Sequence, residues 1–240
     1  MKEPKIRVGT VGYPIARNRV LKEVDVVELT DGRQIPPRKA AARRWRSSTP
    51  DRVAFTVQLS RYLVDPLEEG VPMPGERSGY GGLRLSDENL GLWKREIEFA
   101  SAVDALALVL ITPPTLTPAV INRRLLTDFL AGVERAQFNL IWEPHGPWES
   151  EQAAEFALEN DLVLAVDPLR DPAPSGPLAY FRMGPFASMG SRVGLYDLER
   201  IMEAGESFDR TICVFETPRS FDDARNLKKV LAGDDTGVDF

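Results

Sequence analysis

Glu143 and His145 stand two residues apart in "IWEPHGPWES" (141–150), a stretch that also carries the only histidine of the chain. A carboxylate beside an imidazole is a unit for proton transfer near neutral pH, because the imidazole changes charge there and the carboxylate can orient it. Other ionisable or polar residues sit in the same kind of place, just after a short apolar run. They are Thr10 and Tyr13 after "IRVGTVG", Glu28 in "VDVVEL", Gln58 in "VAFTVQL", Asp167 after "LVLAV", Arg182 in "AYFRM" and Glu216 closing "TICVFE". Charged groups at the ends of apolar segments are costly to bury unless they are paired or used. Glu143, His145 and Arg182 are therefore the candidate catalytic residues. Thr10, Tyr13, Glu28, Gln58 and Trp148 are the candidate substrate-binding residues. Asp167 and Glu216 are candidate metal ligands, since a carboxylate-rich site suits a hard divalent cation such as Mg²⁺ or Mn²⁺. Arg182 could clamp an anion through two parallel hydrogen bonds. Each residue also has a plain structural reading. An arginine–carboxylate network can simply hold strand ends together, Asp167 before Pro168 can start a turn, and Trp148 can be packing.

These residues need elements to carry them. Eight short runs rich in Val, Ile, Leu and Phe recur at 6–12, 24–29, 53–59, 105–111, 138–142, 162–166, 179–183 and 211–216. They are continuous rather than alternating, as in strands buried on both faces of a parallel sheet. Amphipathic helical patterns follow most of them. Pro37 opens "RKAAARRWRSS", and Ser86 opens 86–103, whose stripe is read as Leu90, Trp93, Ile97 and Ala100. Further patterns cover 121–133, 150–160, 196–205 and 220–233. Two connections are irregular. Residues 167–177 carry four prolines and cannot be an ordinary helix. Residues 65–82 form a long Pro/Gly segment of the kind that serves as a functional lid or a disordered excursion. The pattern predicts a single (β/α)₈ TIM barrel over 1–240, in which the candidate residues share the C-terminal ends of the strands. An open doubly wound sheet is the alternative, although "GTVGYP" is not a dinucleotide fingerprint and no phosphate-loop motif is present.

Composition narrows the field. The chain has 240 residues, 43% hydrophobic and 28% charged, as expected of a globular protein. Its net charge of −6 offers no global attraction for nucleic acid or anionic lipid. The basic run Arg38, Lys39, Arg43, Arg44 and Arg46 reads as a solvated helix face. One cysteine, Cys213, excludes an internal disulfide, and its apolar neighbours suit an inert buried thiol. The N-terminus does not read as a secretory signal, and no apolar run reaches membrane-span length. The expected location is cytoplasmic. No HExxH, CxxC or nucleophile-elbow motif occurs.

Taken in order, "GTVGYP", "VDVVEL", "AARRWRSSTPDRVAFTVQ", "YGGLRLSDENL", "ALVLITPP", "WEPHGPW", "VDP", "YFRMG" and "VFET…FDDA" resemble the YecE-like family, known as domain of unknown function 72. The likeness runs from about residue 6 to residue 231 and is nearest to the archaeal-type branch with its "WEPRG"-like string. It implies a TIM barrel and leaves activity open. Glu28, Trp45, Glu143, Asp167, Pro168, Arg182, Phe215 and Asp223 match the family pattern. The departures mark a divergent member: Gln58 stands at the family's lysine, Asp65 at a histidine, Ile111 at a glutamine, and His145 at the "WEPRG" arginine. Losing a lysine removes a point charge suited to a phosphate or carboxylate.

The function expected from these residues is a hydrolase or lyase acting on a phosphorylated or sugar-like small molecule at an acidic barrel mouth. The alternatives are a non-catalytic ligand-binding or scaffold protein, or a nucleic-acid-associated protein using the 38–46 run, a reading the net charge disfavours.

Overall fold

The computed structural model describes residues 4–184 and 193–234. Eight parallel strands close into a barrel in the order β1 to β8. They are β1 (Ile6–Val11), β2 (Val26–Leu29), β3 (Ala54–Gln58), β4 (Ala105–Thr112), β5 (Asn139–Pro144), β6 (Val163–Val166), β7 (Leu178–Met183) and β8 (Arg210–Phe215). The helices are α1 (Arg17–Glu23), α2 (Lys39–Ser47), α3 (Asp87–Ala102), α4 (Val120–Gly132), α5 (Ser150–Glu159), α6 (Leu195–Glu206) and α7 (Ser220–Leu231). All eight apolar runs of the sequence are strands. Those in β2, β3 and β7 are buried at every position, which is why they read as continuous rather than alternating.

The chain divides into two compact units. One comprises Met1–Leu29, Thr49–Phe55 and Val163–Phe240, and the other Thr30–Ser48 and Thr56–Leu162. In the first unit, β1 pairs with β2 and β8, and β7 with β8, so Arg182 lies opposite Val214 and Met183 opposite Phe215. The core there includes Val8, Val27, Phe181, Val214, Phe215 and Leu227. Helix α1, which the hydrophobic pattern did not single out, is only 7 residues long and is tied at its end by Arg52. The Arg52 guanidinium donates to the carbonyls of Leu21, Lys22 and Val24, satisfying acceptors that a helix terminus leaves open.

In the second unit, β4 and β5 pair along six residues, and the register sets Ile111 against Glu143 and Thr112 against Pro144. Helix α3 begins where Ser86 accepts the Asn89 N–H, with Asp87 and Glu88 in the first turn. Its buried face is Asn89, Leu92, Trp93, Glu96, Phe99 and Ala100, a stripe turned from the one read in the sequence, so Leu90 and Ile97 are only half-buried. Helix α2 starts at Lys39 with Arg38 as its cap, two residues after Pro37. Segment 65–82 is an anchored loop. Gly81, Gly82 and Leu83 donate to the carbonyls of Tyr62, Val64 and Leu63, and buried Asn89 bonds both the N–H and the C=O of Gly81. Residues 167–177 contain no helix, as the four prolines required.

Gly9 lies opposite Val26 in the β1–β2 register, where a Cβ would fall 1.7 Å from the Val26 carbonyl oxygen. Gly9→Ala must push two paired strands apart. Urea unfolding is expected to show a loss of more than about 3 kcal/mol.

Candidate functional site

In the first unit, the end of β2 delivers Glu28 into a site with no access to solvent. Tyr180, on β7, donates its hydroxyl to Glu28 Oε2 at 2.5 Å, and Arg182, two residues on, donates Nε to the two carboxylate oxygens at 3.2 and 3.4 Å. Residues 180 and 182 share one face of the strand, so one strand supplies both partners. The Arg182 side chain is 3% exposed and reaches Glu216 Oε2 with its outer nitrogen at 2.9 Å. Glu216 is held beside it because its N–H bonds the carbonyl of Met183, the residue after Arg182. The Glu216 carboxylate is 35% exposed. The result is a buried carboxylate, a buried guanidinium and a half-open second carboxylate in series.

The other candidates of this unit have these partners. Thr10 is buried and donates to the carbonyl of Gly12 at 2.9 Å. Tyr13 is half-buried, with the Arg17 Nε 3.4 Å from its hydroxyl. Asp167 Oδ1 accepts the Leu169 N–H at 3.0 Å, and its other oxygen lies 3.5 Å from Arg170 Nε, so it shapes the turn after β6. Burial pushes the Asp167 carboxyl above its ordinary value. Burial also pushes the Cys213 thiol up, which keeps it protonated and inert. Asp223, matched in the family string "FDDA", takes the Thr217 hydroxyl and is raised by burial.

In the second unit, the end of β5 presents Glu143 and His145. Their oxygen and Nε2 are 3.2 Å apart. The Glu143 side chain is 17% exposed and the imidazole 46%, so the carboxylate faces the protein and the ring faces solvent. The pair is pinned by the backbone: the His145 N–H donates to the Thr112 carbonyl, and Gly146 turns the chain at φ +101°. Gly146 is needed there, since a Cβ would fall 2.8 Å from the Pro114 carbonyl oxygen. Trp148 donates its indole N–H to the Leu116 carbonyl and meets Trp142 edge-on with ring centres 4.9 Å apart. Its ring is engaged in packing. Gln58, at the end of β3, is buried.

Asp167 and Glu216 each have a guanidinium partner of their own. Among the described residues, no group of three or more His, Cys, Asp or Glu side chains is placed to hold a metal ion.

The sequence reading passed over Glu96. It is fully buried on α3, accepts the Ser60 N–H at 2.8 Å, and its second oxygen has no hydrogen-bond partner among the described residues. Burial pushes its carboxyl up to about 8, against the lowering effect of the Ser60 N–H. Its place between Leu92–Trp93 and Phe99–Ala100, at helical spacing, was the available signal.

No family model and no curated protein matches the chain. Solved structures do. A DUF72 family protein from Enterococcus faecalis V583 is similar at 16% identity with a TM-score of 0.72, over 96% of this chain and 99% of that one. A xylose isomerase domain protein from Planctomyces limnophilus is similar at 13% identity and 0.56, over 97% of each chain. A xylose isomerase domain containing protein from Salmonella typhimurium LT2 follows at 10% and 0.57, over 97% of each. At such identities the likeness shows the TIM-barrel fold. It agrees in fold with the YecE-like resemblance. Among the described residues, no helix is long and apolar enough to cross a membrane.

Two measurements test these electrostatics. Glu28→Gln leaves Arg182 short of a buried counter-charge and is expected to cost about 3–5 kcal/mol in urea unfolding, whereas Tyr180→Phe is expected to cost about 1–2 kcal/mol. Glu96 keeps its proton in the folded state up to about 8, while the unfolded carboxyl ionises near 4.5. The folded state thus binds the extra proton, and stability is expected to fall as pH rises between those values and to level off above them. Glu96→Gln removes that slope and is expected to be the more stable form at high pH, by roughly 2 kcal/mol or more.

Proposed function

We propose that the chain is a cytosolic enzyme, a hydrolase or lyase acting on a sugar-like or phosphorylated small molecule, with Glu143 and His145 as its acid–base couple. One observation carries the reading. The single imidazole of the chain lies 3.2 Å from a sheltered carboxylate and is itself 46% exposed. Glu143 orients the ring and balances the imidazolium; His145 takes a proton from a hydroxyl or water, or delivers one to a leaving oxygen. Both reaction types need such a transfer, and a substrate rich in hydroxyl or phosphate oxygens presents the atoms for it. Thr10, Tyr13, Gln58 and Trp148 enter this reading only as polar or aromatic surroundings of strand ends. Arg182 has a holding role here, because its guanidinium is 3% exposed and committed to Glu28 and Glu216. The order of the sequence motifs supports treating the chain as one domain and as a divergent member of the archaeal-type branch of the YecE-like family.

A panel of nitrophenyl phosphates and glycosides, followed by sugar phosphates with detection of elimination products, tests the reading. Turnover by the wild type, reduced about 10²–10⁴-fold in His145→Gln and in Glu143→Gln with melting retained, is the expected result. Turnover that survives both substitutions removes the couple from the chemistry. Saturable ligand binding without turnover assigns the chain to the non-catalytic alternative.

A further inference from the structure

Most arginines near the core of the first unit are already spent. Arg52 holds three carbonyls, Arg17 reaches Thr49 at 2.8 Å, and Arg182 holds two carboxylates. Three others are not. The Arg19 side chain, on α1, makes no hydrogen bond or ion pair among the described residues. The side chains of Arg219, which caps α7, and Arg225, in its second turn, make no hydrogen bond among them either, although the Arg225 guanidinium lies 5.6 Å from the centre of the Phe221 ring. Arg219 lies 3.5 Å from Asp222, and Arg225 lies 3.9 Å from Asp222 and 4.0 Å from Glu23. These are loose pairs, beyond the distance of a charge-assisted hydrogen bond.

The same three arginines line one cavity of about 290 Å³. Pro14, in the β1–α1 connection, and Pro218, in the β8–α7 connection, form its walls, and Phe221 contributes an apolar surface. A second hollow shares Arg19, Phe221 and Arg225 with it and is also lined by Lys22 and Glu23. Three arginines thus line the first hollow with one carboxylate, Asp222, and a second carboxylate, Glu23, lines the other, in a chain whose net charge is −6. Three cations gathered around fewer, loosely paired carboxylates repel one another, and an anion relieves that cost. A guanidinium offers planar, paired donors that match a phosphate. The volume is at the lower end of the range for small-molecule sites. Side chains make this site rather than the end of α7, whose first turn already carries Asp222 and Asp223.

We propose that this cavity binds a small phosphomonoester, with its phosphate dianion between Arg19, Arg219 and Arg225 and its carbon body against Phe221. Asp222 occupies the arginines when the anion is absent and competes with it. This site is independent of the Glu143–His145 reading, because its signature is equilibrium binding and not turnover.

Isothermal titration of the full chain with inorganic phosphate and with phenyl phosphate tests it. Saturable binding of both is expected, tighter for phenyl phosphate and weakening as salt rises. Arg219→Ala and Arg225→Ala are each expected to weaken binding roughly tenfold. Asp222→Ala removes the competing carboxylate and is expected to strengthen binding several-fold, an opposite sign that loss of structure cannot produce. These side chains are 38–44% exposed, so all three variants are expected to fold. Equal binding of the two probes overturns the ester assignment in favour of free phosphate. No saturable binding, or binding that the arginine and aspartate variants leave unchanged, overturns the site.

Discussion

Glu28 has no access to water, and the organisation of its unit follows from that. A carboxylate placed at the end of an apolar strand must find charge and hydrogen-bond donors within the protein. Both are supplied from one neighbourhood, the face of β7 that carries Tyr180 and Arg182. Arg182 then needs a second partner for its outer nitrogens, and Glu216 provides it from the end of β8. The Met183 carbonyl that positions the Glu216 backbone belongs to the residue beside Arg182, so strand pairing and charge pairing reinforce each other. Removing one member leaves a buried charge behind, which is why such a network resists piecemeal change.

That arrangement separates holding from reacting. A guanidinium that is 3% exposed and committed to two carboxylates has little left to offer a ligand. The groups with something left are elsewhere. The His145 ring is open to solvent and backed by Glu143. Arg19, Arg219 and Arg225 line a cavity, and their side chains make no hydrogen bonds to described residues. Ligands are recognised by donors and acceptors that the fold has not consumed, so the accounting of partners is more informative about function than the presence of charge.

Glu96 shows the same accounting in the other direction. Its carboxyl is consumed by burial without being fully satisfied, and it remains protonated where ordinary carboxylates are ionised. A neutral acid in the core of the second unit is tolerated because a protonated carboxyl costs far less to bury than an ionised one. It makes stability depend on pH through a residue whose hydrogen bond is to the Ser60 N–H.

The amino-acid sequence by itself determined the eight strands, six of the seven α-helices among the described residues and the barrel, because continuous apolar runs alternating with amphipathic ones are a local, periodic signal. It also placed Glu28, Glu143, His145, Arg182 and Glu216 at strand ends, since the residue after an apolar run is legible in one dimension. It did not reveal α1, whose seven residues are too short for a clear period, nor Glu96, whose stripe was read a fraction of a turn away. What only the tertiary structure decided was which charges meet. Arg182 faces Glu28 across 154 positions of sequence, and Arg19 meets the cavity formed with Arg219 and Arg225 across about two hundred. Side-chain pairing of that range depends on strand register and on the direction each side chain leaves the backbone, and neither is written in the local pattern of residues.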